Sequence, residues 1–319
     1  MALPTVSVFI VNWNSGEYLN TALTSLLNQT LGNFEAIVVD NASTDGSQNC
    51  LTRLADPRLS LLELKSNVGF AVANNIAASK ARSKKYFALL NPDAFPDPDW
   101  LKELVSAAET EISYGAFSSS LVDARNTDLW DGTGDFYRIT GQPFRRDHHQ
   151  SRAKFQRNRT DVFSPCAAAA LYTRKAWEAA CGFDEDYFCY VEDVDLGFRL
   201  QLLGFRTLHV PEAICLHIGS GIVGTRSDFS AYFGQRNLTL AYLKNMPGPL
   251  LFFLFPLHLL SSIAAFFLFV KRGQGKIFWE SKVAAMRLFP KFWIKRKLIQ
   301  QQRCISSYQV WSMLDKSLW

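Results

Sequence analysis

The sequence predicts an α/β fold in which a mostly parallel central sheet is flanked by helices. Four short apolar segments are typical of buried strands, at residues 6–11, 35–40, 58–64 and 85–90. Helix-compatible stretches separate them, at residues 16–28, 46–55 and 70–82. The strands recur roughly every 25 residues, which is the strand–helix–strand rhythm of a parallel sheet with helices on both faces. Their apolar runs are continuous, as expected for strands buried on both faces.

The composition favours a folded domain and excludes several classes of protein. Of the 319 residues, 48% are apolar and 20% are charged, which excludes a disordered or collagen-like chain. The six cysteines show no Cys-x-x-Cys spacing, so we expect free thiols, a cytosolic setting and no structural zinc. No basic segment precedes the first apolar run, so we expect no signal peptide. No Gly-x-Gly-x-x-Gly follows that strand, which argues against a dinucleotide-binding Rossmann domain.

The formal net charge of +5 is distributed unevenly along the chain. Residues 271–319 hold eleven Lys/Arg and two Asp/Glu, a net of +9, whereas residues 1–270 have a net of −4. A uniformly basic nucleic-acid binder would not show this pattern, so we expect no nucleic-acid partner. A slightly acidic body with a basic tail is typical of a soluble domain that contacts an anionic membrane surface.

A long uncharged stretch precedes the basic tail. Residues 245–270 contain no Asp, Glu, Lys or Arg, and residues 249–270 are long enough to span a bilayer. A single crossing would leave the basic tail outside the cytosol, against the positive-inside tendency. We therefore expect a broken or re-entrant helical hairpin, bent near Pro256, and then a basic, aromatic-rich helix in the membrane interface. The alternative is a buried C-terminal helical subdomain.

Small polar and acidic residues follow each of the four predicted strands. They are Asn12 and Asn14, Asp40 and Asn41, Asn67 and Gly69, and Asn91 and Asp93. Ligands of open α/β sheets bind beyond the carboxyl ends of the strands, so these residues predict a pocket at that edge. Helix capping explains any one of them equally well, but it explains all four pairs less well.

Residues 120–162 predict an excursion away from the sheet. They contain three glycines and then a basic run, namely Gly132, Gly134 and Gly141, followed by Arg145, Arg146, Arg152, Lys154, Arg157 and Arg159. A solvated loop and a flap that contacts an acceptor both fit this composition. The small residues of the next segment, 164–180, would let the backbone approach a ligand closely.

Four segments together carry a specific resemblance. They are VVDNASTDGS at 38–47, NVGFAVANN at 67–75, LLNPDAFPDPDW at 89–100 and FDEDYFCYVEDVDLGFR at 183–199. In this order and spacing the chain resembles the inverting family 2 glycosyltransferases of GT-A fold, in the rhamnosyltransferase-like branch that builds bacterial surface polysaccharide. The resemblance implies a glycosyltransferase domain at 1–245, with a nucleotide-binding half at 1–115 and an acceptor and catalytic half at 116–245. A helical membrane-association region would follow at 246–319.

The resemblance implies a nucleotide-sugar donor at the strand ends. The family places its first nucleotide-contacting aspartate at Asp40, whose carboxylate can accept hydrogen bonds from a pyrimidine or a ribose. The helix that begins after Gly69 would turn its N–H groups toward phosphate. The expected donor contacts are Asn12, Asn14, Asp40, Asn67, Gly69, Asn75, Asn91, Asp93, Ser220 and Arg236. A simple turn at Asn67–Gly69 and a helix start at Arg236 are the structural alternatives.

A divalent cation, Mg²⁺ or Mn²⁺, is expected to neutralise the donor diphosphate. The family's Asp-x-Asp metal motif reads Asn91-Pro92-Asp93 here, which shifts weight onto Asp93. His217 lies 24 residues after Asp193, where related enzymes place a metal-binding histidine. Imidazole beside carboxylate favours Mn²⁺ somewhat. The resemblance therefore implies Asp93 and His217 as the metal ligands.

Inverting transfer needs a general base that takes the proton of the acceptor hydroxyl. Glu192, Asp193 and Asp195 crowd one segment, where like charges raise one another's pKa and leave the assignment open. The family pattern places the base at Asp193, with Glu192 orienting the acceptor. Asp195 and Arg199 stand four apart on a predicted helix, so a structural ion pair is their alternative role.

Trp130 and Asp131 are expected to contact the acceptor sugar, although core packing explains Trp130 equally well. The expected activity is metal-dependent, inverting transfer of a sugar, L-rhamnose from dTDP-rhamnose, to a lipid-linked or polysaccharide acceptor. We expect it at the cytoplasmic face of the plasma membrane, on a peripheral, monotopic or re-entrant protein. The alternatives are a UDP-galactofuranose or UDP-hexosamine transferase of the same fold, a non-catalytic membrane-bound glycan-assembly protein and, more weakly, a nucleotidyltransferase.

Overall fold

The structure, a computed structural model, describes residues 3–154, 158–219 and 227–318. Within these ranges the strands are β1 (Val6–Asn12), β2 (Phe34–Asp40), β3 (Leu59–Glu63), β4 (Tyr86–Leu90), β5 (Ala94–Pro96), β6 (Tyr114–Asp123), β7 (Trp130–Gly132), β8 (Asp135–Tyr137), β9 (Pro143–Arg145), β10 (Thr160–Val162), β11 (Ala169–Thr173) and β12 (Arg206–His217). The α-helices are α1 (Glu17–Leu27), α2 (Cys50–Leu54), α3 (Phe70–Lys80), α4 (Trp100–Thr110), α5 (Arg174–Ala179), α6 (Glu192–Leu202), α7 (Asp228–Asn245), α8 (Gly248–Lys271), α9 (Gly275–Gln302) and α10 (Ser307–Met313).

One large sheet forms the centre of the molecule. Its strands lie in the order β10-β12-β6-β11-β4-β1-β2-β3, with β5 paired to β12 and β7 to β6. The four N-terminal strands are parallel, as the sequence predicts. β11 then runs antiparallel between β4 and β6, and β12 is parallel to β6, so the second half of the sheet is mixed. The predicted fold class, a central sheet flanked by helices, is confirmed.

Helices cover both faces of the sheet, which explains the continuous apolar runs. In β1, Val8 and Ile10 pack with α1 and α4 on one face. The alternate residues Phe9 and Val11 pack with α3, α5 and α6 on the other. Because successive side chains of a strand point to opposite faces, burial on both sides demands an apolar residue at every position.

The structure corrects the prediction for residues 120–162. Residues 120–123 complete β6, residues 160–162 form β10 in the main sheet, and β8 and β9 pair as a hairpin between them. Trp130 and the residues up to Asp135 are buried, so the solvated-loop alternative is wrong for this part. Gly132 is required there because a Cβ would collide with the side chain of Arg145. The hairpin therefore folds back onto the sheet.

The C-terminal helices pack against the rest of the chain. Ala285 and Phe292 of α9 share a buried cluster with Leu240 and Ala241 of α7. A further cluster joins residues on both sides of the predicted boundary at 245/246, namely Tyr137, Ile139, Phe163, Val194, Phe198, Leu202, Tyr242, Met246, Leu254, Val310 and Leu314. The division into two domains at this point stays a prediction.

The expected break of the hairpin near Pro256 is wrong. α8 continues through Pro256 as one helix, and the chain reverses at residues 272–274, where Gly273 has a φ of +77°. A proline inside a helix costs one backbone hydrogen bond and a local clash, which the other turns of a 24-residue helix can offset. A reversal needs the left-handed conformation that glycine adopts freely, and Gly273 supplies it.

Candidate active site

A cleft of about 550 Å³ lies at the carboxyl ends of the strands, beside the start of α6. Seven of the residues predicted as site residues line it, namely Asn67, Gly69, Asn91, Asp93, Glu192, Asp193 and His217. Asp93 and Asp193 therefore share one cavity although the chain between them crosses half the sheet. We call residues 12–15, 40–47 and 67–69 the strand-end wall, and residues 131–145, 166–168 and 184–195 the carboxylate wall.

Hydrogen bonds between side chains order the outer part of the strand-end wall. Asn12 donates from Nδ2 to Asp40 Oδ1 at 2.7 Å and to Ser47 Oγ at 2.8 Å. The backbone N–H of Ser43 donates to Asp40 Oδ2 at 3.0 Å, and that of Thr44 donates to Asn14 Oδ1 at 2.7 Å. The structure thus places Asn12, Asn14 and Asp40 outside the cleft lining, because their polar atoms hold the loop at 41–47.

The inner part of the strand-end wall lies in the cleft itself. Asn41, which follows Asp40, lines the cleft and donates from Nδ2 to Asn67 Oδ1 at 2.8 Å. The same oxygen accepts from the N–H of Gly69 at 2.9 Å. Gly69 has a φ of +87°, and a Cβ there would lie 2.6 Å from the carbonyl oxygen of Phe188. Glycine is therefore required where the two walls approach each other.

Two predicted donor contacts lie away from the cleft lining. Asn75 donates to the carbonyl of Phe183 at 2.9 Å and accepts from its N–H at 3.0 Å. Arg236 donates from Nη2 to the carbonyls of Asp186 at 3.0 Å and Tyr187 at 2.8 Å. Both side chains satisfy backbone groups of the segment that leads into α6, which need partners once buried. Ser220 lies outside the described residues.

His217 lies between two carboxylates at one end of the cleft. Its Nδ1 is 2.7 Å from Asp131 Oδ2, and its Nε2 is 3.5 Å from Asp93 Oδ1. Burial favours the neutral imidazole, but hydrogen bonding to Asp131 and Asp93 outweighs it and raises the pKa of His217 to about 9. Asp131 therefore orients the imidazole ring and leaves Nε2 directed toward Asp93. The Asp131 carboxylate is thus already bonded within the site, whereas the sequence analysis expected it to contact an acceptor.

These residues fit a divalent cation. Asn91 Oδ1, in the same part of the cleft, is buried and accepts no hydrogen bond from the described residues. A carboxylate, an imidazole and an orphaned amide oxygen are ligands that Mn²⁺ and Mg²⁺ accept, with Mn²⁺ more tolerant of nitrogen. Asn91, Asp93 and His217 would thus form the cation side of the cleft.

The predicted base, Asp193, is half-buried and held by backbone donors. The N–H of Ala167 donates to its Oδ2 at 3.1 Å, and the N–H of Val194 donates to its Oδ1 at 2.8 Å. Burial raises the pKa of Asp193, and these two hydrogen bonds oppose the rise. Burial, followed by the charge of Asp193, raises the pKa of Glu192 well above its usual range. Glu192 Oε2 is buried and finds no partner among the described residues.

Three residues of the carboxylate wall were missed by the sequence analysis. Arg145 donates from Nη1 to Asp131 Oδ2 at 2.6 Å and reaches Cys166 Sγ at 3.5 Å. Burial raises the pKa of Asp135 to about 7, with Arg145 acting against the rise. The ligand atoms of Asp135, Cys166 and Asp193 lie within 4.8 Å of one another. Because Arg145 already brings a positive charge to this group, we assign no second cation to it.

Three further residues considered in the sequence analysis lie outside the cleft lining. Trp130 is buried outside the cleft lining, with the guanidinium of Arg152 5.0 Å from its ring centroid, so its packing alternative describes it. Asp195 and Arg199 form the ion pair named as their alternative, with Nε and Oδ2 2.9 Å apart. In the sequence, Arg145 stood in a run of basic residues that gave no sign of burial. The one sequence signal for an ion pair of Arg145 was the pair of aspartates in the nearby segment 131–135.

Two related proteins match over two thirds of the chain. The O-antigen biosynthesis protein RfbC of Myxococcus xanthus is 30% identical over 225 residues, which cover 67% of this chain and 17% of that protein. The N-acetylglucosaminyl-diphospho-decaprenol L-rhamnosyltransferase of Mycobacterium tuberculosis is 28% identical over 237 residues, which cover 67% of this chain and 75% of that protein. The chain thus spans a small part of the first relative and most of the second.

Solved structures share the fold. The mannosyltransferase PcManGT from Pyrobaculum calidifontis, in complex with GDP-Man and Mn²⁺, has a TM-score of 0.57 at 19% identity and covers 98% of this chain and 88% of its own. GalNAc-T7 with UDP, GalNAc and Mn²⁺ has a TM-score of 0.61 at 15% identity and covers 76% and 48%. The family model described as Glycosyl transferase family 2 matches residues 7–179, more than half of the sequence. With this match, the GT-A architecture and the cleft at the strand ends, the chain belongs to glycosyl transferase family 2 and is a glycosyltransferase.

Proposed function

We propose that this chain transfers a sugar, with inversion, from a nucleotide-sugar donor to an acceptor hydroxyl by a single displacement. One observation carries the proposal: Asp93 and His217, which fit a cation, share a cleft with Asp193 and Glu192, which fit acid–base work. A donor diphosphate at the first pair would place its sugar toward the second. The nucleotide-bound solved neighbours support this reading of the cleft.

The carboxylate wall supplies the base. Asp193 keeps lone pairs for the cleft after accepting two backbone hydrogen bonds, so it can take the proton of the acceptor hydroxyl. The acceptor oxygen then bonds to the anomeric carbon while the bond to the diphosphate breaks, which inverts the configuration. Burial raises the pKa of Glu192 well above its usual range, which favours the protonated carboxyl, and in this form Glu192 would donate a hydrogen bond that orients the acceptor.

The cation side of the cleft receives the leaving group. A divalent cation held by Asp93 and His217 would neutralise the charge that develops on the diphosphate. Asp131 holds His217 in the ring orientation that keeps Nε2 toward Asp93. Asn41, Asn67 and the backbone at Gly69 line the opposite part of the cleft and form its donor-facing polar surface.

The donor we propose is dTDP-L-rhamnose, and the acceptor a lipid-linked or polysaccharide glycan of the cell envelope. The mycobacterial relative named as an L-rhamnosyltransferase supports the sugar, and its lipid-diphosphate acceptor supports the acceptor class. UDP-galactofuranose and UDP-hexosamines are the competing donors. A non-catalytic role in glycan assembly is favoured only by the amide at Asn91 in place of a carboxylate.

The exposed surface of α8 and α9 supports peripheral binding to the cytoplasmic face of the membrane. In the described part of the chain, α8 is a helix long and apolar enough to cross a bilayer. Only 17% of its apolar 18-residue stretch is buried inside the protein. Phe252 and Phe253 are 77% and 72% exposed. His258 is buried and bonded to the carbonyl of Thr140, so α8 lies against the protein. This packing favours a monotopic arrangement, with exposed Lys276 and Arg287 near anionic lipid.

The catalytic proposal is tested with a donor panel. Purified protein is given dTDP- and UDP-sugars, Mn²⁺ or Mg²⁺ and a lipid-linked acceptor extract, and products are measured by mass spectrometry. We expect turnover of one donor, abolished by a chelator. Asp193→Asn should lower kcat by about 10³-fold while nucleotide binding by calorimetry stays within a few fold. Full activity in Asp193→Asn would remove this mechanism, and no turnover across the panel would favour the non-catalytic role.

The membrane proposal has its own test. A Phe252→Ser/Phe253→Ser protein should lose most of its flotation with phosphatidylglycerol vesicles, because it removes two large exposed apolar side chains from α8. Ile112→Ser is the matched control, since Ile112 is 89% exposed on the loop after α4. Equal flotation of the double variant and the control would place the membrane contact elsewhere.

A further inference from the structure

The segment that leads into α6 has an unfavourable backbone conformation. Phe188, Tyr190 and Val191 have φ values of 66°, 68° and 71°, a region that side-chain-bearing residues rarely adopt and that a β-branched valine avoids most. All three line the cleft directly before Glu192 and Asp193. Such a conformation persists only where the surrounding structure holds it in place.

α7 holds this segment through its backbone. Asn237 is fully buried, and its Nδ2 lies 2.8–3.0 Å from the carbonyl oxygens of Tyr187, Cys189 and Tyr190. Arg236, its neighbour, donates to the carbonyls at the beginning of the same segment. These contacts fix the carbonyls of residues 186, 187, 189 and 190. They leave the side chains at the beginning of the segment to other partners.

Those side chains are fixed by lysines of α7 and α9. Lys244, 1% exposed, lies 2.7 Å from both Asp184 Oδ2 and Asp195 Oδ1. Lys295 pairs with Asp184 and, at 2.6 Å, with Asp186. Lys291 pairs with Asp186 at 2.6 Å. We call these six residues the lysine–aspartate network: Asp184, Asp186, Asp195, Lys244, Lys291 and Lys295.

The network spans the catalytic segment from both ends. Asp184 and Asp186 precede the strained residues, and Asp195 follows Asp193 by two positions on α6. Within the network the α9 lysines pair with the first end, at Asp184 and Asp186, whereas Lys244 joins both ends. Loss of the α9 lysines would leave Lys244 as the network's one remaining lysine at the first end and would leave the carboxylate of Asp186 without a lysine, so the strained residues could relax.

We propose that Lys291 and Lys295 of α9 are positioning residues for sugar transfer. By pairing with Asp184 and Asp186 they hold residues 184–191 in the strained conformation that places Glu192 and Asp193 in the cleft. The inference rests on the proposed function for the roles of Glu192 and Asp193, but the placement of the segment is measurable without any sugar donor.

Four variants test the proposal. Lys295→Met removes two ion pairs and keeps much of the apolar stem. Lys297→Met is the matched control, because Lys297 is exposed on the same helix and carries the same charge. Lys295→Arg is the conservative rescue. Asp186→Asn removes two of the three α9 ion pairs from the other side and keeps the pair of Lys295 with Asp184. Asp186 is only partly buried, so the variant does not leave a deeply buried charge unpaired.

Hydrogen–deuterium exchange is measured over residues 184–191, together with the melting temperature. Exchange of that segment should rise about tenfold in Lys295→Met and in Asp186→Asn, because the local structure opens more often. Turnover is measured with dTDP-L-rhamnose and Mn²⁺, or with the UDP-sugar that turns over in the panel. We expect kcat to fall about tenfold with the donor KM within twofold, since misplaced catalytic groups slow the chemical step and leave donor contacts intact. Lys297→Met should match the wild type, and Lys295→Arg should recover most of kcat.

A folded Lys295→Met protein whose segment exchanges like the wild type overturns the proposal, and so does an unchanged kcat. If Lys295→Met fails to fold, Asp186→Asn is judged by the same two measurements. If no donor turns over in the wild type, the proposed function has failed, and exchange alone then decides whether α9 holds the segment.

Discussion

In the strand-end wall, hydrogen-bonded side chains are close in sequence. Asn12 and Asp40 are 28 positions apart, and Asn41 and Asn67 are 26 positions apart. Asp131 of the carboxylate wall meets His217, on the cation side of the cleft, across 86 positions. The first wall is held by short amide and hydroxyl hydrogen bonds around two carboxylates, those of Asp40 and Asp45. The second is held by full charges from distant parts of the chain. The wall that we assign to the donor is thus local and mostly uncharged, and the wall that we assign to catalysis is non-local and charged.

This difference predicts how each wall responds to perturbation. Hydrogen bonds between neutral groups depend on close geometry and change little with pH. Interactions between buried charges act over several ångströms and change with the protonation of each partner. Changes of shape should therefore damage the strand-end wall, whereas changes of charge should damage the carboxylate wall.

The largest effect is expected for Arg145→Met, which removes the half-buried cation beside Asp131, Asp135 and Asp193. We expect kcat/KM at neutral pH to fall by about 10²-fold, since Asp131 loses its ion pair and the other two carboxylates lose a nearby positive charge. Arg145 lowers the pKa of Asp193, and the base works when ionised. In the pH–rate profile, the part in which the rate rises with pH should therefore shift to higher pH, by roughly one unit.

The control for that variant is Arg152→Met, whose guanidinium stacks on Trp130 outside the cleft. Its pH–rate profile should overlay that of the wild type. An Arg145→Met profile that rises at the wild-type pH would show that Arg145 has no influence on the base.

A smaller effect is expected for Gly69→Ala, a change of shape without a change of charge. The new Cβ would meet Phe188 at 2.6 Å, and alanine disfavours a φ of +87°. We expect a loss of about 1–3 kcal/mol in the free energy of unfolding and a donor KM raised about tenfold. Gly32→Ala has open space around its Cβ and should change neither the melting temperature nor KM. An unchanged KM in Gly69→Ala would contradict the close approach of the two walls.

The smallest effect concerns stability in acid. Burial acts to raise the pKa of Asp184, but Lys244 and Lys295 outweigh it and hold that pKa well below its usual range. Hydrogen bonds from Lys291 and Lys295 likewise outweigh burial and lower the pKa of Asp186. A carboxyl whose pKa is lower in the folded than in the unfolded state stabilises the protein at pH values above its unfolded-state pKa. That contribution is lost as the pH falls through the folded-state pKa.

We therefore expect the free energy of unfolding to fall as the pH drops below about 4, by on the order of 1 kcal/mol for each such carboxyl. Denaturant titrations at pH 7, 4 and 3 measure it. Asp186→Asn should flatten the decline, whereas Glu178→Gln, which removes an exposed pair with Arg174, should leave it unchanged. A decline of equal slope in all three proteins would show that the network does not contribute.

The first half of the fold could be predicted from sequence because burial on both faces of β1, β2 and β4 leaves a direct trace. The four strands and the helices α1 and α3 were found within one or two residues, whereas α2 begins four residues later than predicted. The sharing of one cleft by Asp93, Asp193 and His217 followed from motif order. Arg145 could not be found, because a half-buried, paired arginine differs from a solvated one only by partners that folding brings to it. Asn12 and Asp40 were expected to contact the donor; in the structure they hydrogen-bond to each other, and their contact with a donor stays a prediction.

Neighbouring residues of α9 lie in two different environments. Lys295 lies against the segment before α6, while its neighbours Trp293 and Ile294 are exposed to whatever surrounds the protein. Truncation at residue 245 would remove Lys291 and Lys295 together with the exposed apolar residues of α8 that we propose for membrane contact. Low turnover in such a fragment would therefore be no evidence that the full chain is inactive.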